Sequence, residues 1–262
     1  MAIGITNSLL DGMTLLITGA ASGIGRATAM EAAASGVSGL LLTDVDANGL
    51  GAVCGQMREV VVRSFVADLS DPTAPAAIYA AAKTRFPRID GLVNSAGITT
   101  RASFLDGSAD QWDRLFAINA RAPFLLMQQV LPDMIAQGGG SIVNIQSMNA
   151  HCGAPELAIY SATKGALQTL TKNAANAHLA DGIRVNGLNL GWTDTEAEHV
   201  MQASTLGHGD DWAQKAAAGS PLGRLLTPEE AARQVIYLLS PGSAPLTGAS
   251  LDLEQWIPGA PR

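Results

Sequence analysis

The chain has 262 residues, of which 47% are hydrophobic and 15% charged, so it can bury a sizeable core and has no compositional sign of disorder. Its net charge of -7 comes with no cluster of lysines or arginines, which argues against a nucleic-acid partner. Cys54 and Cys152 are too few for a disulfide framework and lack metal-ligand spacing. No secretory signal pattern or membrane-length apolar run is visible, so we expect a cytoplasmic protein without a metal or a membrane contact.

Short, nearly continuous apolar segments alternate with alanine-rich helical segments. The apolar segments have the character of buried parallel strands, and they lie at 14–18, 39–43, 60–66, 91–94, 141–145, 184–190 and 249–253. The helical segments lie at 26–35, 76–86, 109–137, 158–178 and 228–239. This alternation predicts one α/β domain over residues 1–262, a doubly wound parallel sheet with helices on both faces.

A glycine-rich turn joins the first predicted strand to the first helix. It reads T-G-A-A-S-G-I-G at 18–25. Such a turn lets the backbone approach a pyrophosphate, whose charge then lies at the helix N-terminus. The spacing differs from the general G-x-G-x-x-G fingerprint, and a plain tight turn is the alternative, but the position between strand and helix favours dinucleotide binding.

Asp44 ends the second predicted strand. A carboxylate there can accept hydrogen bonds from the adenosine ribose hydroxyls, and it repels a 2′-phosphate. Ala20, Ala21 and Val45 supply no basic side chain for such a phosphate, so we predict NAD rather than NADP. A simple strand-end turn is the alternative role for Asp44.

Two further strand ends fit a nucleotide crevice. Asp68 follows the third strand and is a candidate contact for the adenine amino group. The small-residue turn N-S-A-G at 94–97 follows the fourth strand. A helix cap or a strand stop would explain either one equally well.

Three residues in the second half of the chain carry the candidate chemistry. Tyr160 and Lys164 are one helical turn apart and share a face, so the ammonium is expected to lower the pKa of the phenol toward neutrality. The phenol would then serve as an acid and a base, and Ser147 would hold a substrate oxygen. Taken singly, a surface Tyr-x-x-x-Lys pair and a helix-capping serine are the alternatives.

Together with Asn119, these motifs resemble the short-chain dehydrogenase/reductase family, whose fold is of the Rossmann type. The resemblance covers nearly the whole chain and implies interconversion of a secondary alcohol and a ketone. It implies that Tyr160 is the acid/base, that Lys164 also holds the nicotinamide ribose and that Ser147 positions the substrate oxygen. Asn119 would bend its helix and hold a water that passes protons from Lys164 to solvent.

The resemblance also implies a cofactor site and an assembly. The cofactor-binding set would be Gly19, Ser22, Gly23, Ile24, Gly25, Asp44, Asp68, Leu69, Asn94, Ala96, Gly97, Tyr160, Lys164, Gly191, Thr193 and Thr195. A homotetramer is expected, in which the long helices that begin near 109 and 158 pack against their copies. Three departures stand out: Leu190 precedes Gly191 where a proline is usual, Ser95 replaces a common asparagine, and D-L-E-Q at 252–255 replaces Asp-Gly-Gly, which predicts a differently shaped tail.

The segment 192–221 is longer than a strand-to-helix connection requires, and we predict that it is a substrate lid. It combines Trp192 and Trp212 with carboxylates and imidazoles, a mixture that suits a hydroxyl-rich small molecule such as a sugar or polyol. The candidate substrate contacts are Ser147, Asn149, His151, Tyr160 and Trp192. A merely solvated excursion, an apolar substrate (a hydroxysteroid or an acyl thioester) and a non-catalytic nucleotide-binding protein remain alternatives.

Overall fold

Seven parallel strands form the centre of the computed structural model, which describes residues 8–257; residues 1–7 and 258–262 of the predicted domain lie outside the described residues. The strand order is β3-β2-β1-β4-β5-β6-β7. The strands are β1 (Thr14–Thr18), β2 (Gly39–Asp44), β3 (Val61–Val66), β4 (Gly91–Asn94), β5 (Gly140–Ser147), β6 (Ile183–Leu190) and β7 (Ser250–Leu253). The order reverses between β1 and β4, which opens a crevice at the carboxyl ends of these strands.

Nine α-helices are found in the described residues. They are α1 (Gly23–Ala34), α2 (Ala47–Gln56), α3 (Ala74–Lys83), α4 (Ala109–Phe116), α5 (Ala122–Ala136), α6 (Ala158–Ala177), α7 (Glu196–His199), α8 (Trp212–Ala218) and α9 (Pro228–Leu239). Two π-helical turns, Ala117–Arg121 and Val200–Thr205, follow α4 and α7 directly. None of the helices within residues 8–257 has both the length and the apolar composition that a membrane span requires.

The apolar side chains of the central strands alternate between two cores. Leu40 and Leu42 of β2 pack with α1, α2 and α9 on one face of the sheet, whereas Leu41 packs with α3, α5 and α6 on the other. This period of two is the geometry of a strand that is buried on both faces. The predicted doubly wound α/β sheet is therefore confirmed.

The structure differs from the sequence prediction in three places. The predicted helix 109–137 is interrupted by the π-helical turn around Asn119. The helix α2 was not predicted, because three glycines in its sequence A-N-G-L-G-A-V-C-G-Q indicate a loop; the side chain of Asp46 caps it by accepting from Asn48 N. The third strand is not buried, since β3 lies at the edge of the sheet and exposes Val61 and Val66.

Candidate active site

A cavity of about 980 Å³ lies at the carboxyl ends of the strands. One of its ends is formed by the glycine-rich turn and the ends of β2 and β3, and the other by the loops after β4 and β5 and by the segment that follows β6. Its position at the reversal of strand order is the usual place for a ligand in an open α/β sheet. The segment after β6 contributes Trp192, Thr195, Glu198 and Gln202 to the lining.

Close packing excludes a side chain at two glycines of the glycine-rich turn. Gly19 has φ +66°, and a Cβ on it would lie 2.8 Å from Ala96 Cα. A Cβ on Gly25 would collide with the carbonyl oxygen of Gly19. The hydroxyl of Thr18 fixes the neighbouring turn by accepting hydrogen bonds of 3.1 Å from the backbone N of Ser95 and of Ala96. The backbone thus lines the cavity directly at the start of α1.

Two carboxylates, those of Asp44 and Asp68, line the end of the cavity that the glycine-rich turn forms. Asp44 is half-buried and accepts hydrogen bonds from Ala21 N at 3.0 Å and Asp46 N at 3.1 Å, so its carboxylate is held beside the glycine-rich turn. Asp68 accepts from Ser70 N at 2.8 Å, and this bond holds its pKa below the usual range. A bare backbone turn, small residues and a fixed carboxylate fit a dinucleotide, whose pyrophosphate needs N–H donors and whose ribose needs an acceptor.

The three candidate chemical residues meet in this cavity. Lys164 Nζ lies 5.7 Å from the centroid of the Tyr160 ring and donates to the carbonyl oxygen of Ile145 at 2.8 Å. Ser147 ends β5, and its Oγ accepts from Asn149 N at 3.2 Å and from Asn149 Nδ2 at 3.1 Å. Tyr160 and Lys164 are both buried. The helical spacing of Tyr160 and Lys164 and the end of β5 therefore bring phenol, ammonium and hydroxyl to the wall of one cavity.

The expected lowering of the Tyr160 pKa is wrong. Burial raises the pKa of Tyr160 to about 12, because desolvation of the phenolate outweighs the hydrogen bond with Ser147 that acts in the opposite direction. Glu198 raises the pKa further and Arg101 lowers it. Burial also lowers the pKa of Lys164 to about 8. A lysine one helical turn away does not by itself ionise a phenol in an apolar setting.

Three candidate residues do not line the cavity. Asn119 is fully buried in the π-helical turn; its amide exchanges two hydrogen bonds of 2.9 Å with the backbone of Ile98 and donates to Thr163 Oγ1 at 3.2 Å. Asn94 is also buried and donates to Asn144 Oδ1 at 2.8 Å. His151 points away, because its imidazole lies 3.4 Å from both Asp252 Oδ1 and Asn189 Nδ2. Every other candidate residue lies in the lining.

Sequence reasoning assigned no site role to several polar residues of the lining, among them Arg101, Glu198, Gln202 and Glu254. The departure from Asp-Gly-Gly at 252–255 was the signal for Glu254, whose carboxylate occupies the space where a Cβ on Gly191 would lie. The side chain of Gln255 then holds the segment before α9, accepting from Leu222 N at 3.0 Å and donating to Arg224 O at 2.7 Å. The unusual tail is thus part of the site.

One carboxylate outside the lining joins the segment after β6 to the start of α1. Glu196, the first residue of α7, accepts a hydrogen bond of 3.2 Å from Gly23 N at the start of α1. It also forms an ion pair with Arg26. The segment after β6 therefore contacts one of the N–H groups that an anion at the glycine-rich turn would use.

Comparison with protein families and curated proteins gives matches over most of the chain. The family model described as enoyl-(acyl carrier protein) reductase matches residues 19–254. The chain is 35% identical to the 2-keto-3-deoxy-L-fuconate dehydrogenase of Xanthomonas campestris pv. campestris, over 92% of this chain and 79% of that protein. It is 33% identical to the L-rhamnose 1-dehydrogenase (NAD(P)(+)) of a Sphingomonas strain, over 93% of this chain and 95% of that protein.

Solved structures show the same similarity. A short chain dehydrogenase/reductase family protein superposes with a TM-score of 0.81 at 37% identity, covering 93% of this chain and 96% of that one. The L-sorbose reductase of Gluconobacter frateurii, solved with NADPH and L-sorbose, superposes with a TM-score of 0.90 at 27% identity, covering 97% and 99% of the two chains.

Proposed function

Because the chain belongs to the short-chain dehydrogenase/reductase family, we propose that it is an NAD-dependent dehydrogenase of a sugar or polyol, with Tyr160 as the acid/base. Membership of this family makes it an oxidoreductase that acts on CH–OH groups with a nicotinamide cofactor. The observation that carries this proposal is that Ser147, Tyr160 and Lys164 line the same cavity as the glycine-rich turn. The alternative of a non-catalytic nucleotide-binding protein is not favoured, because all three chemical side chains are present and meet.

Tyr160, Ser147 and Lys164 would each have a separate role in proton transfer. The nicotinamide would accept or supply the hydride. In alcohol oxidation the phenolate oxygen of Tyr160 takes the hydroxyl proton, and in ketone reduction the phenol returns a proton to the carbonyl oxygen. Ser147 would donate a hydrogen bond to the same oxygen as charge develops on it. Lys164, held by the Ile145 carbonyl, would place its ammonium beside the phenolate and hold the cofactor ribose.

The proposed choice of NAD rests on Asp44. Its carboxylate is oriented by two backbone N–H donors at the cavity wall, so it cannot easily turn away from a ribose at that position. A 2′-phosphate there would meet a fixed negative charge, whereas two free hydroxyls would meet an acceptor. Asp68 and Leu69 would border the adenine.

The proposed substrate class rests on the other end of the cavity. We assign residues 192–221 as a lid, supported by the lining side chains that this segment supplies and by the contact of Glu196 with the glycine-rich turn. Trp192 offers an apolar face to a substrate. Hydrogen bonds are offered by the amides of Asn149 and Gln202 and by the charged side chains of Arg101, Glu198 and Glu254. The two curated relatives named above act, by their names, on L-rhamnose and on a deoxy-keto sugar acid, which supports a carbohydrate over a hydroxysteroid or an acyl thioester.

A homotetramer is part of the proposal. A shallow groove between α4, α5 and α6 is lined by Phe116, Ala120, Phe124 and Leu170, and Trp112 on the same helices is 47% exposed. Exposed apolar patches of this kind mark protein interfaces. Light scattering of the purified protein is expected to give the mass of four chains, and a monomer would contradict this part of the proposal.

The proposal as a whole is tested by replacing Tyr160. Initial rates are measured with a panel of sugars, polyols and simple secondary alcohols, with NAD and with NADP. We expect turnover of at least one polyhydroxylated compound, higher kcat/KM with NAD, and a loss of about 10³-fold or more in Tyr160→Phe, which keeps the ring and removes the proton-transferring oxygen. Activity of Tyr160→Phe within tenfold of the parent contradicts the acid/base role, and a preference for NADP contradicts the role of Asp44.

A further inference from the structure

We propose, as an extension that rests on the function above, that Arg101 and Glu198 form a specificity element that binds neighbouring hydroxyl groups and selects an uncharged polyhydroxylated substrate over a carboxylate-bearing one. Arg101 lies in the loop after β4, and Glu198 lies in α7 of the proposed lid. Both side chains line the cavity that contains Tyr160 and Ser147.

The two side chains form a mostly buried ion pair. Arg101 Nη2 lies 3.3 Å from Glu198 Oε1, and the side chains are only 17% and 14% exposed. Arg101 Nη1 also donates to the carbonyl oxygen of Thr99 at 2.9 Å, which fixes the guanidinium against the loop. A pair at this depth is held in place far more firmly than a surface ion pair, and its unused hydrogen-bonding groups therefore have defined positions.

Glu198 is held by neighbours within its own segment. Trp192 Nε1 donates to Glu198 Oε1 at 3.1 Å, and Gln202 Nε2 donates to the same oxygen at 2.6 Å. With Arg101 Nη2, three donors converge on Oε1. Within residues 8–257, every hydrogen bond that the Glu198 side chain accepts thus goes to Oε1. Its second carboxylate oxygen, Oε2, is left as an acceptor for a ligand.

Arg101 has matching unused donors. Its Nε is buried and has no hydrogen-bond partner among the described residues. That atom is enclosed by the protein, so the donors left for a ligand are the second N–H groups of Nη1 and Nη2, each of which uses one N–H, for Thr99 O and Glu198 Oε1 respectively. The pair therefore presents donors and an acceptor on adjacent groups. A hydroxyl both donates and accepts, so two neighbouring hydroxyls of a polyol satisfy both groups at once.

The charges around this pair disfavour an anionic substrate. The positive charge of Arg101 is already matched by Glu198, and the other charged side chains of the lining are net negative, with four carboxylates against two cations: Asp44, Asp68, Glu156 and Glu254 against Arg114 and Lys164. Both charges of the pair reach the reacting group, since Glu198 raises the pKa of Tyr160 and Arg101 lowers it. A substrate carboxylate would have to displace Glu198 from Arg101 while it lies near like charges, whereas a neutral polyol leaves the pair intact.

Matched substrates test the selection. Each neutral polyol or ketose in the panel is paired with the sugar acid of the same carbon skeleton, for example D-glucitol with D-gluconate, and kcat/KM is measured for both. We expect the parent to favour the neutral member by about tenfold or more. Glu198→Gln keeps the shape and frees the charge of Arg101, so the neutral-to-acid ratio is expected to fall by about tenfold or more. Arg101→Gln should lower efficiency with the neutral member and give no gain with the acid.

Two further measurements separate this role from a structural one. Glu198→Gln is expected to shift the pH dependence of kcat for alcohol oxidation to lower pH, because it removes a negative charge that raises the pKa of Tyr160. The control Glu59→Gln removes an equal charge from an exposed turn outside the lining and should change neither ratio nor pH profile. Thermal unfolding of each variant identifies any loss of folding.

The outcomes distinguish this inference from the function on which it rests. A parent that prefers sugar acids, or a ratio unchanged in Glu198→Gln while the protein is folded, overturns the specificity role and leaves the dehydrogenase intact. Apolar alcohols outperforming every polyhydroxylated compound overturns the substrate class together with the inference. No turnover of any alcohol or ketone with either cofactor overturns the proposed function itself.

Discussion

The two ends of the cavity are built from different materials. At the end that we propose binds the cofactor, which we call the cofactor end, the glycine-rich turn forms much of the surface, and Gly19 and Gly25 are enclosed by neighbouring backbone. At the substrate end, long polar side chains from the loop after β4, from residues 192–221 and from the tail form the surface. A cofactor common to a family can be held largely by backbone, whereas a particular substrate is recognised by side chains, so we expect mutations at the two ends to affect different properties.

Two glycines give the largest contrast. Gly19 and Gly207 have nearly the same backbone conformation, with φ +66° and +70°, but a Cβ on Gly19 would meet the Ala96 backbone at 2.8 Å and one on Gly207 would meet nothing within 4 Å. Each alanine replacement costs on the order of 1–2 kcal/mol for the left-handed backbone. Only Gly19→Ala should also displace the turn, with a loss of about 100-fold or more in NADH affinity, measured by fluorescence titration.

Denaturant unfolding of both variants completes this test. Gly207→Ala should bind NADH like the parent and lose only the conformational cost, so it controls for the backbone conformation of the alanine. Equal losses of NADH affinity in the two variants would show that the close contact between Gly19 and Ala96 does not shape the cofactor end.

The same contrast explains what could be predicted from the sequence. The glycine-rich turn, Asp44 and the Tyr160-Lys164 pair are each local in sequence, and a strand or helix of known geometry converts their spacing into a position. Arg101 and Glu198 are 97 positions apart, and only the folded chain brings them together. Gly191 and Glu254 meet in the same way, across neighbouring parallel strands β6 and β7.

Burial is the second quantity that sequence spacing does not supply. The spacing of Tyr160 and Lys164 correctly indicated that the two side chains share a helix face, but the sign of the pKa change depends on how much water reaches the phenol. His151 shows the same limit, because its position after Ser147 indicated the cavity, whereas the neighbouring Asp252 and Asn189 attract its imidazole elsewhere. A local sequence pattern predicts the backbone conformation and the helix face on which a side chain lies. Long-range packing decides the protonation state of that side chain and the direction in which it points.

Tyr160 lies where the two ends of the cavity meet, and we expect kcat/KM for alcohol oxidation and for ketone reduction to depend differently on pH. Tyr160 has a raised pKa of about 12, so it is protonated at neutral pH, which suits proton donation to a ketone. We expect kcat/KM for alcohol oxidation to rise with pH, by up to about tenfold per pH unit, while kcat/KM for ketone reduction stays level near neutrality and falls only at alkaline pH. Initial rates from pH 6 to about 10 in both directions measure this.

The titration of Lys164 should limit the rise of kcat/KM for alcohol oxidation with pH. Its pKa is lowered to about 8 by burial, so it loses its charge above that pH and stops stabilising the phenolate. Lys164→Arg keeps a positive charge throughout this range and should remove the break in the profile near that value, even if its overall rate is lower. An oxidation rate that is independent of pH would contradict the assignment of Tyr160 as the group that accepts the proton.

The smallest expected effect concerns the contact between the two ends. Glu196 accepts from Gly23 N and pairs with Arg26, and the side chains of Arg26 and Glu196 are 40% and 54% exposed. A pyrophosphate at the start of α1 would use the same Gly23 N–H, so the Glu196 carboxylate competes with it. Glu196→Gln should therefore raise NADH affinity by about two- to threefold, a modest change because exposed ion pairs contribute little.

The direction of that change decides what the contact does. Fluorescence titration at low and high salt is the measurement, and the gain should shrink at high salt because screening weakens the repulsion between carboxylate and pyrophosphate. Glu229→Gln, on an exposed part of α9, is the matched control. Weaker binding in Glu196→Gln would mean that the carboxylate holds the proposed lid against the glycine-rich turn and so helps to bind the cofactor. Tighter binding would mean that the Glu196 carboxylate must release Gly23 N before the cofactor is held.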